Sequence, residues 1–220
     1  MMTKNRRGES LVTVPGASGG LQGKVLAPEG PTKAALVVTH GRQGHMDEPL
    51  VAGLAWIGAA LGLWTLRFTF AYQAAGREPS AGHEEEIADL RAAIDHARRT
   101  SGHDRVILAG RGLGAWAAIA AATDESAEDV VLMGLSYTGQ PERRTALRRL
   151  GEFEIAALIV VGSRSDRLDL PALREALAGM PSVWLEVVEG ANHRLQDERL
   201  ESMTEAALGP SKEWLRARLE

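Results

Sequence analysis

Residues 105–122 read RVILAGRGLGAWAAIAAA and decide the fold. The segment opens with a short apolar run that ends at Ala109, and a turn with three glycines follows. An alanine-rich stretch begins near Leu113 and predicts a helix over about 113–123. A buried strand that turns sharply into a helix is the repeating unit of an α/β sheet.

Apolar runs of the same kind recur from Ala34 to about residue 195. They are AALVVTH, WTLRFTF, DVVLMGL, ALIVVG and VWLEVV, and the segments between them predict helices near 48–61, 83–100 and 171–179. Strands that are buried on both faces are continuously apolar. The alternation therefore indicates an α/β fold with a doubly wound, mostly parallel sheet.

The two ends of the chain complete one predicted domain, residues 1–220. Two short strand-like runs, 11–15 and 22–27, flank a glycine-rich turn and predict an antiparallel edge over about 10–27. The parallel core is expected over about 34–195. The segment 199–219 predicts two helices, because Gly209-Pro210 is a typical signal for ending one helix and starting another.

The composition excludes several function classes. The 25 Lys and Arg residues against 29 Asp and Glu give a formal net charge of −4, without a basic run that would favour nucleic acid. No apolar stretch reaches the roughly 18 residues of a membrane span, so we expect a cytoplasmic protein that does not bind membranes.

The sequence also lacks the signals of a metal or cofactor site. The chain has no cysteine and no H-E-x-x-H spacing, so we expect no metal, no cofactor and no cysteine nucleophile. The expected partner is a small molecule, and the oligomeric state stays open between a monomer and a homodimer.

The candidate site residues follow the predicted strands. In an open parallel sheet, ligands bind at the carboxyl ends of the strands. Gly112 lies at the centre of the turn after RVILA, Asp166 follows ALIVVG, and His193 follows VWLEVV. This order matches the chain order nucleophile, acid and base of the α/β-hydrolases.

Five motifs make the resemblance more specific. THGRQGHMDEP, LRFTFAYQAAGREPS, LAGRGLGAWAA, VVGSRSD and VEGANHRLQ resemble the lidless, dienelactone-hydrolase-related group of α/β-hydrolases. That group includes the testis-expressed and NSL-complex hydrolase-like proteins, and the resemblance covers about residues 34–195.

The resemblance implies roles for individual residues. Asp166 would hold the His193 imidazole in the tautomer that a catalytic triad requires. The backbone N–H of Leu113 and one from the Gly41-Arg42 loop would form an oxyanion hole. The loops after the strands also supply candidates for a substrate pocket, namely His40, Gln43, Tyr72, Arg111, Trp116 and Ser136.

Gly112 stands where this group has its nucleophilic serine. Losing such a serine costs roughly 10⁶ in turnover, about 8 kcal/mol, which is too much for a dedicated esterase. We therefore predict a noncanonical enzyme of hydrolase, lyase or isomerase type that acts on a small carbonyl or ester-like molecule, with His193 and Asp166 as a general-base dyad. The alternatives are a catalytically inactive ligand-binding or regulatory relative, and a slow esterase with a displaced serine, for which Ser136 is the best candidate.

The glycine turn permits one competing interpretation. Gly110 to Ala115 also fit G-x-G-x-x-A, the relaxed dinucleotide-binding pattern. That pattern requires an acidic residue about 20 positions later, at the end of the next strand. Asp129 stands instead at the beginning of DVVLMGL, so the sequence disfavours nucleotide binding.

Overall fold

The structure is a computed structural model that describes residues 8–16, 19–125 and 129–220. The strands in these ranges are β1 Ser10–Gly16, β2 Gly19–Leu26, β3 Ala35–Thr39, β4 Trp64–Phe68, β5 Val106–Arg111, β6 Asp129–Met133, β7 Ala156–Gly162 and β8 Val183–Val188. The helices are α1 Pro49–Ala60, α2 Ala71–Ala74, α3 Glu84–Ser101, α4 Leu113–Glu125, α5 Pro141–Glu152, α6 Leu170–Leu177 and α7 Thr204–Leu219.

The strands form one sheet in the order β1-β2-β4-β3-β5-β6-β7-β8. β2 pairs antiparallel with both β1 and β4, whereas every other pair in the sheet is parallel. The predicted doubly wound, mostly parallel sheet with an antiparallel edge is therefore confirmed. The centre of the turn between β1 and β2, residues 17–18, lies outside the described residues.

Helices cover both faces of this sheet, because successive strand residues point to opposite sides. Val37 and Leu108 belong to the apolar layer shared with α3, α4, α5 and α6. Leu36 and Ile107 belong to the layer shared with α1 and α7. All four side chains are fully buried, and removing each from water stabilises the fold by about 1.5–3 kcal/mol.

The helices differ from the sequence predictions in three places. Neither α2 nor α5 was predicted. The helix α2 has only four residues, and α5 buries only Leu147 and Leu150, so the apolar periodicity of its sequence is weak. The prediction of two C-terminal helices is wrong, since α7 continues through Pro210. Leu208 and Leu215, on either side of the proline, are buried in the same layer against α1, and this packing outweighs the lost hydrogen bond.

No helix within the described ranges has both the length and the apolar character that a membrane crossing requires.

The strand order places a crevice beside β3. The connection from β3 runs to β4 on one side, and the connection from β4 passes back to β5 on the other side, so the strand order reverses at β3. Ligands bind at such a switch point, outside the carboxyl ends of the strands. His40 follows β3 and Gly112 follows β5, so these two loops form the floor of the crevice.

Arg67 of β4 fixes the far end of the loop between β3 and α1. Its side chain is almost fully buried, and its Nη1 lies 2.6 Å from Oε1 of Glu9. Its Nε donates to the carbonyl of Met46 at 3.0 Å, and its Nη2 donates to Asp47 at 3.1 Å. The buried pair with Glu9 holds the guanidinium in place, and its bonds to Met46 and Asp47 anchor the end of the loop that begins at Gly41.

Candidate active site

Gly112 lies at the junction of β5 and α4 in a left-handed conformation, with φ at 53°. Its N–H donates to the carbonyl of Met133 at 2.8 Å, and its carbonyl accepts from the N–H of Trp116 at 3.3 Å. These bonds join the turn to β6 on one side and to the first turn of α4 on the other. The sharp strand-to-helix turn expected from the sequence is therefore present.

The three glycines of this turn differ in how much space surrounds the position of a Cβ atom. A Cβ on Gly110 would lie 2.3 Å from the carbonyl oxygen of Gly114, and one on Gly114 would lie 2.4 Å from Oγ1 of Thr39. Neither position can carry a side chain without moving backbone or strand. A Cβ on Gly112 would meet only the Cα of Gly41, at 3.7 Å. Packing thus requires the outer glycines and leaves room for a side chain at the central one.

His193, in the loop after β8, lines the same cavity as Gly112 and Asp166. The expected hydrogen bond between Asp166 and His193 is absent. Nδ1 of His193 is buried without a hydrogen-bond partner among the described residues, while Asp166 is exposed to solvent. An unpaired buried nitrogen of this kind costs about 1–3 kcal/mol. The sequence placed both residues at the cavity, but the hydrogen bond that would join them as a dyad is not present, and the dyad stays a prediction.

The surroundings of His193 keep its imidazole neutral. Burial, followed by the positive charges of Arg167 and Arg111, lowers the pKa of His193 to about 4. The negative charge of Asp166 acts in the opposite direction, and Arg194 lowers the pKa further. At neutral pH the ring therefore has a free lone pair and can accept a proton.

The residues proposed for an oxyanion hole border the cavity. Leu113 is the first residue of α4, so its N–H cannot donate within its own helix. The amide of Gly114 is already used, since it donates to the carbonyl of His40 at 3.2 Å. Leu113, Gly41 and Arg42 all line the cavity. Their role as oxyanion donors stays a prediction.

Two candidates for the substrate pocket lie behind the cavity wall. The Nδ1–H of His40 donates to the carbonyl of Gly41 at 2.7 Å, and its Nε2 accepts from the N–H of Phe70 at 3.0 Å. Tyr72 donates its hydroxyl to the carbonyl of Arg42 at 2.8 Å. Both rings are fully buried and brace the loop after β3. The expectation that they line the pocket is wrong, whereas Gln43, Arg111, Trp116 and Ser136 do line it.

Burial also perturbs the ionisation of these two rings. It lowers the pKa of His40 to about 4, a change that the hydrogen bond to Gly41 partly opposes. It raises the pKa of the Tyr72 hydroxyl. Both side chains are therefore neutral at pH 7, as their fixed hydrogen bonds require.

Ser136, after β6, has a cation as its partner. Nη1 of Arg143 donates to the Ser136 hydroxyl at 2.7 Å and to the Ser136 carbonyl. A guanidinium remains protonated and has no lone pair that could accept the hydroxyl proton. Ser136 therefore has a donor beside it and no base in hydrogen-bond contact among the described residues.

Asp129 takes no part in this crevice. It is fully buried at the amino end of β6, where Nη2 of Arg105 donates to it at 2.7 Å and Nε of Arg218 donates to it at 2.6 Å. Asp129 thus lies at the opposite end of β6 from the strand termini that form the crevice. The acidic residue that dinucleotide binding requires is not available from this position.

The cavity has a volume of about 760 Å³ and is lined by more arginines than the sequence suggested. Sequence reasoning missed Arg143, Arg164, Arg167 and Arg194. The last three lie in the loops after β7 and β8, which is a usable signal, but Arg143 lies on the unpredicted α5. No group of three potential metal ligands occurs in the described part of the chain.

Comparison with known families matches residues 32–210 to the family described as "Alpha/beta hydrolase domain". No curated protein matches the chain.

Several solved structures resemble this one. An alpha-beta serine hydrolase homologue from Coxiella burnetii has 21% identity and a TM-score of 0.75, covering 96% of this chain and 97% of that one. A serine hydrolase without a lid from Xanthomonas campestris has 20% identity and a TM-score of 0.70, with coverages of 96% and 91%. A putative dienelactone hydrolase from Klebsiella pneumoniae has 15% identity and a TM-score of 0.73, with coverages of 94% and 96%. At these identities the likeness shows the fold alone.

The glycine turn generates a first testable prediction. Gly114→Ala should reduce the free energy of unfolding by at least about 3 kcal/mol, the upper range for overpacking. Gly112→Ala should cost only about 1–2 kcal/mol, the strain of a left-handed residue. Urea denaturation of the parent and both variants measures these values. Equal losses in the two variants would show that the central position is as tightly packed as Gly114.

The charges around His193 generate a second prediction. We expect its ring to titrate near pH 4 in an NMR pH titration, and Arg167→Gln to raise this value, because a nearby positive charge is removed. His40 serves as the internal control, since Arg167 is not among the groups that shift its pKa. A His193 pKa near 6.5 in the parent would contradict the expectation.

The lowered pKa also sets the direction of a stability change. The unfolded chain binds a proton on this histidine below about pH 6.5, whereas the folded chain binds it only near pH 4. The ionisation of His193 therefore lowers the free energy of unfolding as the pH falls from about 6.5 to about 4.

Proposed function

Because the chain belongs to the alpha/beta hydrolase domain family, we propose that it is a hydrolase-like enzyme that works without a covalent intermediate. His193 acts as a general base on water or on an acidic C–H group of a small carbonyl or ester compound. The backbone amides of Leu113 and of the Gly41-Arg42 loop stabilise the oxyanion that forms.

The open space at Gly112 is the observation that carries this proposal. The turn around it is densely packed, yet the position of its absent Cβ has only one neighbour within 4 Å, at 3.7 Å. A water molecule or a substrate group fits where related enzymes place a serine side chain. The attacking atom then comes from the bound molecules, and no bond forms to the protein.

The ionisation of His193 suits the role of a base. A neutral imidazole is ready to accept a proton at pH 7, but a base with a pKa of about 4 is weak. Asp166 lies on the same cavity and is exposed, so its side chain is free to change rotamer. Rotation onto the unpaired Nδ1 of His193 would satisfy that nitrogen, stabilise the protonated ring and strengthen the base.

A gain of function provides the test. Gly112→Ser places a hydroxyl in the open space, and we expect hydrolysis of 4-nitrophenyl acetate to rise by at least ~10²-fold, the lower range for general-base assistance. The gain should disappear in Gly112→Ser combined with His193→Ala. Gly112→Ala, which adds a side chain without a hydroxyl, is the matched control.

Two outcomes would contradict the proposal. A missing gain in a folded Gly112→Ser variant would mean that the site lacks hydrolase geometry, as in an inactive ligand-binding relative. High activity in the parent that survives Gly112→Ala but not Ser136→Ala would assign the reaction to a displaced serine.

A further inference from the structure

The cavity has a charge opposite to that of the whole chain. The chain carries a formal net charge of −4, yet six arginines line the cavity: Arg42, Arg111, Arg143, Arg164, Arg167 and Arg194. Only three carboxylates line it with them, those of Glu48, Glu78 and Asp166. Clustered charge of one sign in a concave site attracts ligands of the opposite sign.

Half of these arginines are neutralised by direct ion pairs. Nη2 of Arg42 lies 3.0 Å from Glu78, and Nη1 of Arg111 lies 3.4 Å from Glu48. The third of these pairs joins Arg164 to Glu198, at 3.1 Å.

The other three have no carboxylate partner within the described ranges. Arg194 donates to the side-chain oxygen of Gln43 at 2.6 Å, and Arg143 donates only to Ser136. The guanidinium of Arg167 makes no hydrogen bond or ion pair with a described residue. The cavity therefore holds three arginines outside any ion pair, against one carboxylate, that of Asp166, which is likewise in no ion pair with a described residue.

Arg143 is held by more contacts than the other two. Its guanidinium lies over the ring of Trp116, 4.9 Å from the ring centroid, and its Nη1 is held by Ser136. No described residue accepts from its Nε or Nη2, so one planar edge with two donors stays available. Such an edge matches the two oxygens of a carboxylate.

We propose that the cavity binds a small organic molecule that carries a carboxylate, with Arg143 as the residue that recognises it. This inference rests on the proposed function, because the same molecule presents its reactive carbonyl to Gly112 and His193. Trp116 lies one helical turn after Gly112, about 6 Å along the axis of α4. A short half-ester of a dicarboxylic acid combines one carboxylate with one ester carbonyl, so it presents both groups that the proposal requires.

The cavity favours a carboxylate over a phosphate. The free edge of Arg143 offers two donors, which suits the two oxygens of a carboxylate, whereas a phosphate dianion presents three. Asp166 lies on the same cavity and repels a dianion more strongly than a monoanion.

Anion binding also has a consequence for His193. The charges of Arg167, Arg111 and Arg194 lower the pKa of this histidine. A bound carboxylate offsets them and makes the base stronger when the substrate is present.

Calorimetric titration of the parent protein at low salt tests the proposal. We expect monomethyl succinate to bind at least about tenfold more tightly than the neutral dimethyl succinate, the effect of one charge-assisted hydrogen bond. Arg143→Gln should remove at least about tenfold of the affinity for the half-ester. Arg148→Gln, an exposed arginine of the same helix outside the cavity, is the matched control and should bind like the parent.

Further variants separate this inference from the proposed function. Arg194→Gln changes an exposed side chain and should weaken half-ester binding by about threefold, within the range of an exposed ion pair. His193→Ala should still bind the half-ester, even though it loses any catalysis, so a failure of the reaction leaves this result unaffected.

Three outcomes would overturn the proposal. The first is equal affinity for the half-ester and the diester, and the second is half-ester affinity that neither Arg143→Gln nor Arg194→Gln changes. The third is that inorganic phosphate binds more tightly than the half-ester and that Arg143→Gln weakens this phosphate binding.

Discussion

The close approach of α4 to the end of β3 sets the geometry of the whole site. It is possible only because Gly110 and Gly114 have no Cβ, and the space that a side chain on Gly114 would need is taken by Thr39 and by the carbonyl of His40. This contact places the start of α4 against the loop after β3. The fully buried His40 and Tyr72 then brace that loop from behind.

The sequence was sufficient for the fold and for the order of the site residues, because both depend on local patterns. Continuous apolar runs identified the buried strands, and the residues just after them identified Gly112, Asp166 and His193. The helices α5 and α7 were missed or divided because few residues of α5 are buried, and because packing around Leu208 and Leu215 carries α7 through Pro210.

Side-chain contacts between distant loops could not be predicted from sequence patterns. Nothing in the order of residues fixes whether Asp166 reaches His193, whether Tyr72 points into the cavity, or which arginines find acidic partners. These outcomes depend on rotamers and on the spacing of loops that meet only in the folded chain. Which of these arginines share one cavity, and which of them are paired, was accordingly visible only in the structure.

The site combines a preserved scaffold with an electrostatic environment that suppresses its base. His193 is neutral, lacks a partner on Nδ1 and is surrounded by positive charge. In the proposed reaction, the space at Gly112 would receive a reacting group and the unpaired arginines would receive a negative charge. Intact-mass spectrometry of the parent protein, quenched during turnover of mono(4-nitrophenyl) succinate, tests the central claim most directly. The account predicts an unmodified protein mass while 4-nitrophenol is released in a His193-dependent reaction, and a succinyl adduct on Ser136 or any other side chain would contradict it.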